Sequence, residues 1–77
     1  MRILNNDDDR VIKDVTIYLT PEEAKEMFGY LKGLVSGKEE HHVHINDKNY
    51  EHEITLAIYT DHNLNEFDDR SKKLILD

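Results

Sequence analysis

Residues 19–37 read LTPEEAKEMFGYLKGLVSG, and the fold depends on whether they form a helix. Thr20 stands where a hydroxyl caps the first turn. Pro21 takes the position whose N–H has no helical partner, and Glu23 completes a capping box, with Leu19 and Ala24 spaced as a hydrophobic staple. Gly37 is where a left-handed residue ends a helix. Between these signals Ala24, Met27, Phe28, Leu31, Leu34 and Val35 recur at i, i+3, i+4 spacing, the stripe of an amphipathic helix. All six are therefore expected in the core. Gly29 and Gly33 project opposite this stripe, in line with Glu22 and Glu26, and each costs about 1 kcal/mol relative to Ala in a helix interior. Such glycines either let another backbone approach or are tolerated at an exposed position.

Upstream, RIL, NNDDD and RVIKDVTIYL read as a short strand, an acidic turn and a longer strand from Arg10 to Leu19. Val11, Val15, Ile17 and Leu19 mark one face at period two; Ile12, Asp14, Thr16 and Tyr18 mark the other. The three aspartates lack the glycine and terminal acid of a calcium loop, so they read as turn formers. Downstream, HHVHIN and YEHEITLAIYT are two strands about the turn NDKN. Ile54, Leu56 and Ile58 define the core face, with Val43 and Ile45 beside them and His41 and His52 at its ends. His42 and His44 then point outward beside Glu51, Glu53, Thr55 and Tyr59, with His62 in the following loop.

The final segment, DHNLNEFDDRSKKLILD, repeats the design of the first helix: Asn63 as cap, Glu66 three residues on, acids early, bases late. Leu64, Phe67, Leu74 and Ile75 share its stripe. At an offset of 40, Thr20 matches Thr60, Glu26 matches Glu66, Lys32 matches Lys72 and Leu34 matches Leu74. The two halves therefore describe one unit twice, a strand hairpin followed by a capped helix. Residues 1–77 are expected to form a single small α+β domain, ββαββα, with one antiparallel sheet and both helices packed on one face.

Composition narrows the function. Seventeen acids oppose ten bases, for a formal charge of −7, and neither half is basic: residues 1–40 carry −3 and residues 41–77 carry −4. Nucleic-acid binding needs clustered bases, and the only approach to a cluster, Arg70, Lys72 and Lys73, fits a helix C-terminus equally well. There is no cysteine, which excludes disulfides, thiolate metal sites and a cysteine nucleophile. No signal-peptide core or membrane-length apolar run occurs, so a soluble, cytoplasmic protein is expected, and its small size and acidic charge are what a small regulatory or inhibitor-like bacterial protein would show. Catalysis is not expected either. Ser36 and Ser71 lie at or within helices, and no phosphate loop, dinucleotide fingerprint or His-Glu-x-x-His run is present.

Two functions follow. The first is a non-enzymatic interaction domain, binding a protein partner or forming a homodimer through the open sheet face, with Thr16, Tyr18, His44, Thr55 and Tyr59 as the interface, or through the outer edge of the glycine-bearing helix. The second is metal binding without any other cofactor. Residues i and i+2 on a strand lie about 7 Å apart on one face. His42 and His44, with Glu53 from the next strand, are candidate ligands for Zn, Ni or Cu. Protonation of the histidines near pH 6 is a third, lesser expectation.

Overall fold

The computed structural model describes residues 1–38 and 42–76. Its elements follow the expected order: β1 (Leu4–Asn5), β2 (Arg10–Val11), α1 (Pro21–Ser36), β3 (His42–Asn46), β4 (Glu53–Ala57), a 3-10 turn (Leu64–Glu66) and α2 (Asp69–Leu76). The class is α+β. The strands, however, form two separate antiparallel pairs, β1–β2 and β3–β4, where one sheet was expected. No helix among the described residues is long and apolar enough to cross a membrane.

The chain gathers into two compact units, Met1–Ile17 with Thr60–Asp77, and Tyr18–Tyr59. In the second, α1 starts as its sequence dictates. The Thr20 hydroxyl accepts the Glu23 N–H at 3.2 Å, and Glu23 Oε1 accepts the Thr20 N–H at 2.9 Å. At the other end Gly37, at φ 81°, donates its N–H to the Leu34 carbonyl in a left-handed cap that a Cβ would strain. The β3–β4 register pairs Val43 with Leu56 and Ile45 with Ile54, which sends these four side chains to one face, as alternation requires. Helix α1 packs on β3, and Leu34, Val43 and Ile45 are the buried core.

Only two of the six residues of the apolar stripe of α1 are covered, Met27 and Leu34, beside the half-covered Glu23, Tyr30 and Gly33, whereas Phe28, Leu31 and Val35 are 70%, 43% and 80% exposed. Phe28 is therefore not a core residue, contrary to the sequence reading. At about 100° per residue, the six apolar positions span more of the helix than a two-stranded hairpin can cover. The hairpin takes the edge nearest Leu34.

In the first unit, β1 and β2 pair over Leu4–Val11 and Asn5–Arg10, and the Ile12 N–H extends the ladder to the Ile3 carbonyl at 2.9 Å. The turn is built by its own acids and amides. Asn5 Oδ1 accepts the Asp7 N–H, Asp8 Oδ1 accepts the Arg10 N–H, and Asp9 adopts φ 60°, which a short polar side chain tolerates. Arg70 ties α2 to this turn, donating to Asp9 Oδ1 at 2.7 Å and to Asn6 Oδ1 at 3.1 Å.

Two expected elements are corrected. The long strand Arg10–Leu19 is only Arg10–Val11, because among the described residues no strand lies alongside it beyond Ile12 to receive its backbone hydrogen bonds. Val15, Ile17 and Leu19 are partly exposed instead. The second helix does not run from Asn63. That side chain accepts the Thr60 N–H at 2.7 Å, the 3-10 turn ends at Phe67 in extended backbone, and α2 starts afresh. Its cap is Asp68, whose Oδ1 accepts the Ser71 N–H at 2.7 Å. That bond, and a second from the Ser71 hydroxyl, hold the Asp68 carboxyl below its ordinary range.

Candidate functional site

The outer face of the β3–β4 hairpin carries His42, His44 and Asn46 opposite Ala57, Thr55 and Glu53. Alternation puts them there, since their neighbours Val43 and Ile45 are buried. His44 Nδ1 lies 2.9 Å from the Thr55 hydroxyl and 3.5 Å from Glu53 Oε2, and the His42 ring meets the His44 ring edge-on at 5.1 Å. The structure thus brings together four of the predicted residues, His42, His44, Glu53 and Thr55. Among the described residues, no three His, Cys, Asp or Glu side chains are gathered as a metal-holding group.

The other predicted interface residues are not on this ladder. Tyr18 lies just before the cap of α1 and is almost fully exposed; Tyr59 follows β4 and is partly exposed. Thr16 is in the irregular segment of the other unit. The expected face containing Thr16 and Tyr18 required the long strand, and it is absent with that strand. His41 lies outside the described residues.

A cluster that the sequence reading did not assemble sits at the hairpin tip. Asp47 Oδ1 accepts the Glu51 N–H at 2.8 Å and the His52 N–H at 3.2 Å, while His52 Nδ1 donates to Asp47 Oδ2 at 2.6 Å. Tyr50 turns the chain at φ 57°. Hydrogen bonding by the His52 ring lowers the Asp47 pKa, and the same bond, with the carboxylate charge, raises that of His52. The signal was present in the turn formers of NDKN, where an Asp can fold back onto amides a few residues on. Beside this tip a shallow groove of about 640 Å³ runs to the first turns of α1, lined by Glu22, Glu26, Tyr30, His44, Asp47 and Tyr50 among others.

Helix α1 carries an exposed apolar surface. Ala24, Phe28, Leu31 and Val35 form one exposed stripe, spaced 4, 3 and 4 residues apart. The sequence marked all four, but as core. No family model, curated protein or solved structure matches this chain.

Proposed function

We propose that this chain is a small, acidic, non-enzymatic protein-interaction domain of the cytoplasm, which docks a protein partner or a second copy on the outer stripe of α1. The observation that carries this reading is the exposure of Phe28, Leu31 and Val35 on one helix face. Contiguous exposed apolar side chains favour association, because covering them removes apolar area from water at roughly 25 cal/mol per Å². Among its described residues, the unit that bears them has three buried hydrophobic side chains, so it gains stability from a cover. A non-catalytic role is also supported by the serines: Ser36 donates its hydroxyl to the Gly33 carbonyl, and Ser71 belongs to the cap of α2.

A photo-crosslinking residue at position 28, compared with one at Asn49 on the hairpin tip, tests this in living cells. A discrete adduct from position 28 alone is expected. No adduct there, or the same adducts from both positions, contradicts the reading.

A second reading is a chelate on the hairpin face. The approach of His44 Nδ1 to within 3.5 Å of Glu53 Oε2, with His42 adjacent, favours it. Calorimetric titration with zinc tests it, with His44→Ala as the control. Equal heats from the two proteins contradict it.

A further inference from the structure

The exposed stripe has the register of a coiled-coil seam. Written as a heptad, Ala24 and Leu31 take position d, and Phe28 and Val35 take position a. Position g is then Met27 and Leu34, both turned into the unit's own core, and position e is Lys25 and Lys32, both exposed. One border of the seam is closed by the hairpin and the other is lined by two lysines. No ion pair among the described residues engages either lysine, although acids outnumber bases 17 to 10 in the chain.

We infer that the occupant of this seam is an amphipathic helix of another protein, whose apolar a and d side chains are bordered by Asp or Glu facing Lys25 and Lys32. This rests on the interaction reading above and specifies its partner. Charges beside the seam decide which helices pair. A second copy is a poor match. In an antiparallel pair the e positions face each other, so Lys25 would meet Lys32 of the second copy at both ends of the contact. A parallel pair would set each lysine against Met27 or Leu34, which the hairpin already covers. Carboxylates on the partner satisfy both lysines in either direction. The net charge of −7 opposes an acidic partner at long range, but that field is screened beyond about 8 Å at physiological salt, whereas the seam charges meet at contact.

The test uses the full chain and two synthetic helices of roughly four heptads, with Ile at a and Leu at d. One carries Glu and the other Lys at every e and g position. Fluorescence anisotropy at physiological salt should show the Glu-bordered helix binding at least about tenfold tighter than the Lys-bordered one. Phe28→Ser should abolish that binding. The double variant Lys25→Glu/Lys32→Glu, which touches only exposed side chains, should invert the preference. Equal affinities, an unchanged preference in the double variant or binding that survives Phe28→Ser would each overturn the inference. A dimer by sedimentation that Phe28→Ser dissolves would overturn it while preserving the interaction reading. Neither peptide binding nor self-association would overturn both.

Discussion

His52 Nδ1 lies 2.6 Å from Asp47 Oδ2, and the same carboxylate receives the backbone N–H groups of Glu51 and His52. One side chain therefore closes the β3–β4 turn, and its strength follows the protonation of two groups. The His52 pKa is raised in the fold, so its contribution is complete below the ordinary histidine value and is lost as pH rises through the folded one. The Asp47 pKa is lowered, so its contribution is present above the ordinary carboxylate value and is lost as pH falls through the folded one. The turn is thus tightest between roughly pH 4 and 6.5. Glu51 beside it and Glu23 on α1 both reinforce the charged imidazole. Proton NMR should show the His52 titration midpoint dropping in Asp47→Asn, with faster amide exchange at Glu51. An unchanged midpoint would remove the pair from the account.

Helix α1 depends on its capping box. Thr20→Ala should cost about 0.5–2 kcal/mol in urea denaturation, since it leaves the Glu23 N–H without its acceptor. A loss under a few tenths of a kcal/mol would mean that the first turn is held by something else.

The sequence places the start of the last helix at Asn63, and the structure places it at Asp68. Asp68→Ala should speed amide exchange at Ser71 and reduce helical circular dichroism. Asn63→Ala should disturb the Thr60 turn and leave Ser71 protected. The reverse pattern would restore one helix running from Asn63.

Gly29 lies away from the seam, and a Cβ built on it meets nothing within 4 Å. Gly29→Ala should stabilise the protein by up to about 1 kcal/mol through helix propensity alone. Destabilisation in dilute solution would show that another backbone does approach this position, as its spacing from Gly33 had suggested.

Local physics was legible in advance. The Thr20–Glu23 box, the Gly37 cap and the shared face of Val43, Ile45, Ile54 and Leu56 each depend on residues a few positions apart or on strict alternation, and each is found in the structure. What failed was the choice of partner. The pattern from Arg10 to Leu19 is a strand pattern, but alternation cannot say whether another strand lies beside it, and β1 pairs with only its first two residues. The six apolar residues of α1 were visible, yet which of them a neighbour covers depends on the width of the hairpin that arrives. The Asp47–His52 pair escaped for a related reason. Both residues were read for their faces on the strands, and the turn between them brings their side chains together.

The most direct test of the central claim, that the outer stripe of α1 is a docking surface and not core, is the urea denaturation of Phe28→Ser beside Leu34→Ala. Leu34 is 6% exposed and Phe28 70% exposed. Leu34→Ala should therefore cost about 2–5 kcal/mol, while Phe28→Ser should stay within about 0.5 kcal/mol of the parent at concentrations where the chain is alone. A loss of about 3 kcal/mol or more for Phe28→Ser, the size of a buried aromatic's removal, would place Phe28 in the core and contradict the account.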